Sequence, residues 1–414
     1  MRKYITILLS LLLLPAIAQT GTTTVNENAA DLGGGQDSLT APVDSLPYPL
    51  SICYRLDSII ANTDMLQRSQ LGLMVFDLTA DSAIYRHNER QTLRPASTMK
   101  LLTAITAIDQ LGGSYQLRTS LYHTGFIADG TLNGDLYCVG GMDPMFSADD
   151  MTAFVESLRG LDVDTIRGRI VADRSFKEAE LLGEGWCWDD DNPPLSPLVL
   201  GRKDNFTETF RQKLMDDGAY VDGGFSEGRL PAGAVMVCSR THSIDQVLLK
   251  MMKESDNLYA ESMFFQVAAA GGNRPAKASH GRNAVKRMIQ RVGLRPSDYR
   301  IADGSGLSLY NYVSAELETR LLRYAWRNGN IYEYLRPVLP IAGVDGTLKE
   351  RMKKTAAAEN VAAKTGTLTG ISSLAGYCTA ANGHELCFCI INQGVMRNQD
   401  GRDFQDRVCQ AMCR

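Results

Sequence analysis

The pattern of apolar and polar positions divides the chain into segments of different period. LSICYRLDSIIANTDM carries apolar residues at helical spacing and predicts a helix from near Leu50. QLGLMVFDLTADSAIYRHN predicts two strands joined by a turn at Thr79-Ala80-Asp81. RPASTMKLLTAITAID returns to a helical period, with Pro95 near its first turn. From about Gln116 the character changes. TSLYHTGFIADGTLNGDLYCVGGMDP alternates, and Asp129-Gly130 and Asn133-Gly134 both predict hairpin turns. SADDMTAFVESLRG predicts an amphipathic helix capped by Ser147. VDTIRGRIVADRS predicts another strand, and NFTETFRQKLMDDGAYVDG a helix running into a turn. SIDQVLLKMMKESDNLYAESMFFQVAAAGG predicts two helices broken near Ser255-Asp256-Asn257. AAKTGTLTGISSLAGYCTAANGHELCFCIINQGV predicts two or three adjacent strands with Asn382-Gly383 between two of them, and DGRDFQDRVCQAMC a closing helix.

The beginning follows a different pattern. Arg2 and Lys3 precede an apolar run, Ile5 to Leu14, too short to span a bilayer, and Ala16-Ile17-Ala18 supplies small residues. This predicts a signal peptide over 1–18, cut after Ala18. Residues 19–47 are rich in Gly, Thr, Ser and Asp without periodicity, and predict a disordered spacer. No later segment approaches about 18 continuous apolar residues. The expected product is exported, periplasmic or otherwise extracytoplasmic, with no integral membrane segment after cleavage.

A length of 414 residues predicts two domains. The 43 basic and 47 acidic residues nearly balance, no basic stripe stands out, and the aromatics are scattered, so no nucleic-acid partner is expected. The nine cysteines are odd in number and form no small-scaffold pattern, so most read as core residues. Cys387 and Cys389 share one face of a strand, and Cys409 and Cys413 are one helical turn apart. The five histidines show no ligand spacing with a cysteine pair, so no metal and no cofactor are expected.

Three short motifs carry candidate chemistry. Ser97-Thr98-Met99-Lys100 places a hydroxyl and an amine at i and i+3 on one helix face. A serine needs a base to become a nucleophile, and burial beside a second cation lowers a lysine pKa toward that role. The helix start also offers unpaired backbone N–H groups to an anionic intermediate. Ser255-Asp256-Asn257 at a helix break supplies a second hydroxyl for proton relay and an amide to hold a substrate amide. Lys364-Thr365-Gly366-Thr367 on a strand supplies a cation and hydroxyls for a carboxylate, and Gly366 leaves room for a substrate backbone. Each motif alone fits an ordinary cap, turn or strand. Together and in this order they form the S-x-x-K, S-D-N, K-T-G set of β-lactamases and penicillin-binding proteins.

The interval between Ser97 and Ser255 leaves room for a separate, strand-rich domain. The chain here resembles the D-alanyl-D-alanine carboxypeptidase/endopeptidase family of low-molecular-mass penicillin-binding proteins. The resemblance runs from about residue 50 to the end, through PASTMKLLTAITAIDQLG, GDLYCVGGMDP, GEGWCWDDD, SIDQVLLKMMKESDNLYAE, ADGSGLS, AGVDGTLKER and AAKTGTLTGISSLAGY. It implies an α/β (α+β) transpeptidase fold of β-lactamase type, an antiparallel sheet packed with helices, plus one inserted mixed α/β domain. The expected catalytic domain is 48–117 with 236–414, and the insert is 118–235. The resemblance further implies Ser97 as nucleophile, Lys100 as its base, and Ser255 as proton relay. Asn257 would hold the substrate amide, and Lys364, Thr365 and Thr367 the terminal carboxylate. The N–H groups of Ser97 and Thr367 would form the oxyanion hole. Asp303, Gly304, Ser305 and Gly306 would edge the cleft without a chemical step. The implied partners are peptidoglycan stem peptides and β-lactams. Three features depart from the family pattern. Met142 stands where another glycine is usual, PPLSPLVL follows the double aspartate only loosely, and Arg202 to Asn205 run straight into the helix that a further domain precedes in larger members. A β-lactamase would need a water-positioning glutamate before the third motif. SAELETR, with Glu316 and Glu318, does not resemble the loop that carries it.

Overall fold

The computed structural model describes residues 45–190 and 192–414; the expected signal peptide and nearly all of the expected spacer lie outside the described residues. In chain order, α1 (Leu50–Ala61) is followed by β1 (Gln70–Asp77), β2 (Ser82–His87) and α2 (Met99–Leu111). Next come β3 (Gln116–His123), β4 (Phe126–Ala128), β5 (Thr131–Asn133), β6 (Leu136–Val139), α3 (Ala148–Arg159), β7 (Thr165–Ile166) and β8 (Ile170–Asp173). Then follow α4 (Phe206–Asp216), β9 (Tyr220–Val221), β10 (Phe225–Glu227), β11 (Val235–Ser243), α5 (Ile244–Lys253), α6 (Asn257–Ala269) and α7 (Ala278–Arg291). The last elements are α8 (Ala315–Arg327), α9 (Gly329–Leu335), β12 (Ala362–Leu368), β13 (Ile371–Thr379), β14 (Glu385–Gln393) and α10 (Asn398–Cys413).

The two strands near the start and the three near the end form one antiparallel sheet, ordered β12-β13-β14-β1-β2. Period-2 alternation in β14 sends its side chains to two cores. Leu386, Phe388 and Ile390 join α1 and α10 on one face. Cys387, Cys389 and Ile391 join α2, α5, α6, α7 and α8 on the other. A sheet buried on both faces explains the nearly continuous apolar run of β14. Six of the nine cysteines are buried, in agreement with their reading as core residues, whereas Cys187 is exposed.

Residues 116–243 build two further sheets, ordered β10-β8-β6-β3-β11 and β4-β5-β7-β9. Their own core gathers Phe146, Phe154, Phe206 and Phe210, with the Phe146 ring 5.3 Å from Phe154 and 4.9 Å from Phe206. Ser147 caps α3 as predicted: its hydroxyl accepts from Asp150 N, and the Asp150 carboxylate accepts from Ser147 N.

Two sequence expectations need correction here. Asp129-Gly130 does turn β4 into β5, but Asn133-Gly134 joins β5 to β6 in a different sheet. VDTIRGRIVADRS likewise splits into β7 and β8 in different sheets. The cause is a crossing of four chains. A Cβ on Gly125 would lie 2.0 Å from Asn133 O, on Gly168 2.0 Å from Gly134 O, and on Gly223 2.0 Å from Gly168 O. Backbones in such contact cannot also pair as a continuous ladder, so each strand changes sheet at its glycine.

Candidate active site

Ser97 stands where extended chain becomes helix. Ala96–Thr98 form one 3-10 turn that runs directly into α2. Ala96 has φ +50°, a left-handed conformation costing about 1–3 kcal/mol in a residue with a side chain. Two glycines hold it. A Cβ on Gly306 would come within 1.9 Å of Ala96 O, and one on Gly366 would lie 2.6 Å from Pro95 O and 3.0 Å from Ser97 N. The space beside Gly366 that the sequence reading left for a substrate is therefore filled by the chain leading into Ser97. The Ser373 hydroxyl donates to the Pro95 carbonyl and completes this clamp.

Lys100 is fully buried one turn along α2. Its Nζ lies 3.0 Å from Ser97 Oγ, 2.7 Å from Asn257 Oδ1 and 2.9 Å from the Ser305 carbonyl. Two of these three partners can only accept. A neutral Lys100 would keep its two N–H groups on Asn257 and Ser305 and turn its lone pair toward the Ser97 hydroxyl. Burial pushes Lys100 down to about 8, against the opposing pull of Asp303, Glu261 and Asp256.

The second motif lies between α5 and α6. Ser255 is left-handed at φ +62°, and Asp256 caps α6 by accepting from Leu258 N at 2.9 Å. That turn presents the Ser255 hydroxyl to Lys364 Nζ at 2.8 Å. Lys364 Nζ also donates to Thr365 O at 2.8 Å. Burial, and after it the charge of Lys100, holds Lys364 well below the ordinary lysine range. Alternation along β12 puts Lys364 and Gly366 on the buried side, with Thr365 half-buried and Thr367 exposed. Thr365 Oγ1 donates to Thr347 Oγ1 at 2.7 Å, whereas the Thr367 hydroxyl has no protein partner among the described residues. β12 is the edge of its sheet; the start of its outer side is covered by the 340–342 segment, where Ala363 N donates to Pro340 O at 2.9 Å, and among the described residues β12 carries no neighbouring strand beyond that segment.

Three supports have no signature in the motifs. Asp303 is buried and accepts from Trp186 Nε1 (2.9 Å), Gly306 N (2.8 Å), Ser308 N (2.7 Å) and Asn311 Nδ2 (2.7 Å). Glu261 accepts from Gly304 N and Ser305 N at 2.9 and 2.7 Å, and so aims the Ser305 carbonyl at Lys100. Burial and the nearby Asp303 push Glu261 up to about 8. Sequence reasoning gave this loop no step because a backbone acceptor is independent of residue identity. The stretch 184–203 also reaches the site: Asn257 Nδ2 donates to Asn192 Oδ1 at 3.3 Å, and Arg202 pairs with Asp256.

Neither candidate water-positioning glutamate hydrogen-bonds Ser97. Glu316 pairs with Arg320 at 2.7 Å. Glu318 is buried behind α2 and accepts from Thr98 Oγ1 at 2.7 Å and from Cys389 Sγ. Among the described residues no group of His, Cys, Asp or Glu is placed to hold a metal ion, and no helix is long and apolar enough to cross a membrane.

Known proteins resemble this chain over most of its length. The family model described as D-Ala-D-Ala carboxypeptidase 3 (S13) matches residues 53–203 and 194–413. D-alanyl-D-alanine carboxypeptidase DacB of Haemophilus influenzae is 26% identical, over 82% of this chain and 90% of its own length. Carboxypeptidase DacB of Mycolicibacterium smegmatis is 30% identical, over 87% of this chain and 84% of its own. The crystal structure of penicillin binding protein 4 (dacB) from Haemophilus influenzae superposes with a TM-score of 0.79 at 23% identity, covering 85% of this chain and 98% of that one.

Proposed function

The chain belongs to the D-Ala-D-Ala carboxypeptidase 3 (S13) family, and from that premise we propose that Ser97 attacks the penultimate carbonyl of a peptidoglycan stem peptide ending in D-Ala-D-Ala. Membership makes it a serine-type D-Ala-D-Ala carboxypeptidase that acts in cell-wall peptidoglycan maturation or remodelling. Lys100 takes the Ser97 proton through its lone pair. The N–H groups of Ser97 and Thr367 stabilise the tetrahedral oxyanion. Ser255 and Lys364 pass a proton to the departing D-Ala amine. Asn257 holds the substrate amide, while Lys364, Thr365 and Thr367 receive the terminal carboxylate. Water then releases the acyl group from Ser97. β-Lactams acylate the same hydroxyl. A D-Ala to diaminopimelate cross-link presents the same bond, so D,D-endopeptidase cleavage is included. Export is part of the proposal, supported by the pattern of residues 1–18 and by the location of such a substrate.

The observation that carries this reading is the three-way environment of Lys100 Nζ: Ser97 Oγ at 3.0 Å and two acceptors that orient the remaining N–H groups. The test is digestion of purified uncross-linked and cross-linked muropeptides with product identification. Release of D-Ala from pentapeptides is expected, with cross-link cleavage as the endopeptidase outcome. Intact pentapeptides after prolonged incubation would refute the proposal.

A further inference from the structure

A second polar cleft, of about 520 Å³, opens between the β3-containing sheet and the far end of α6. Its walls carry three arginines from separate segments: Arg118 on β3, Arg229 beyond β10, and Arg274 between α6 and α7. None of the three guanidinium groups has a hydrogen bond or carboxylate partner among the described residues. Arg274 lies over the Phe176 ring at 4.4 Å, which fixes its plane and leaves its N–H edge free. The one carboxylate in the lining, Asp173, is buried and accepts from Ser175 N (2.9 Å) and Leu230 N (2.7 Å). It is engaged by the backbone, so the open charge is cationic. The floor is fixed: Tyr115 OH donates to Gln266 Oε1 at 2.8 Å, and Gln266 Nε2 donates to Gly141 O at 2.6 Å.

The cleft stands in a defined relation to Ser97. Gln266 and Asn257 are both on α6, nine residues and so about 14 Å apart along its axis. Nine residues are also about two and a half turns, so the cleft opens on the side of α6 opposite Asn257, and a polymer bound at Asn257 would reach the arginines by passing around that helix. Arginine forks match carboxylates bidentately, and a cleft lined by one sign of charge concentrates the opposite sign.

We propose that this cleft binds the carboxylates of a neighbouring stem peptide on the same peptidoglycan polymer whose D-Ala-D-Ala end occupies the Ser97 site. This rests on the function proposed above. The measurement is co-sedimentation with insoluble peptidoglycan freed of attached phosphate polymers, using Ser97→Ala protein with and without R118Q, R229Q and R274Q together. The retained fraction is expected to fall about tenfold on the triple substitution, the scale of lost charge-assisted hydrogen bonds. Amidating the peptidoglycan carboxylates should produce the same fall for the protein with its arginines. Equal retention with and without the arginines, or retention that survives amidation, would overturn the proposal. In the Ser97 background, D-Ala release from a short soluble peptide should stay within about twofold of the unsubstituted enzyme; a parallel loss there would also overturn it. Absence of D-Ala release by the unsubstituted enzyme would count against the functional reading, and the sedimentation result would still decide the arginine site.

Discussion

Lys100 Nζ donates to Asn257 Oδ1 at 2.7 Å, and this contact fixes which way the Lys100 lone pair points. With a second N–H on the Ser305 carbonyl, only the Ser97 direction remains. In the proposed mechanism the base is thus set by its acceptors as much as by its pKa. Asn257→Asp keeps the acceptor but adds a negative charge, which favours the ammonium form and raises the Lys100 pKa. The acid limb of the kcat/KM profile for D-Ala release should lie near pH 8 in the parent and move upward in the variant. An unmoved limb would refute Lys100 as the titrating base.

Gly366 brings β12 against the chain before Ser97. In Gly366→Ala the new Cβ meets the Pro95 carbonyl and the Ser97 amide. Overpacking of this kind costs about 1–3 kcal/mol. The displaced Ser97 should lose about 100-fold in kcat/KM, the scale of a 1 Å misplacement. Denaturant unfolding and D-Ala release measure the two effects; full activity in the variant would show that the clamp does not position Ser97.

Met142 occupies a position where the resembling family usually carries glycine, and its φ is +55°. Its side chain is buried, so either truncation loses packing worth about 2–5 kcal/mol. The backbone term separates the two: Met142→Gly should be more stable than Met142→Ala by about 0.5–1 kcal/mol. A reversed order in thermal melting would remove backbone conformation as the reason.

Glu318 lies behind α2, pushed up to about 7 by burial, with Thr98 and Cys389 pulling the other way. An unfolded glutamate ionises near 4.5. The folded state therefore holds this proton longer, and stability falls as pH rises from about 4.5 to about 7. Glu318→Gln keeps an acceptor for Thr98 and cannot ionise. Its stability relative to the parent should improve between pH 4.5 and pH 8 by up to about 3 kcal/mol, read from denaturant midpoints. A difference independent of pH would contradict the buried, proton-holding carboxyl.

Much of the site was legible because its chemistry is local. Ser97 and Lys100 are a helical i, i+3 pair, Ser255 to Asn257 are a cap and turn, and Lys364 to Thr367 are consecutive on one strand. The short apolar runs of β1, β13 and β14, bounded by turn residues, likewise announced strands. What stayed hidden depends on approach between distant segments. The Ser305 carbonyl matters through its direction, which Glu261 sets from α6. Asn133-Gly134 is a good turn sequence, yet the backbone of Gly168 against it diverts the strand to another sheet. Arg118, Arg229 and Arg274 are unremarkable surface charges until the fold brings them to one cleft.

In the proposed mechanism Ser97 is the acylated nucleophile, oriented and deprotonated by Lys100. The most direct measurement is intact mass analysis after incubation with a penicillin, with peptide mapping of the adduct. One covalent penicilloyl group on Ser97 is expected, lost completely in Ser97→Ala while the melting temperature of that variant is retained. Labelling that persists in Ser97→Ala, or that maps to Ser255, would contradict it.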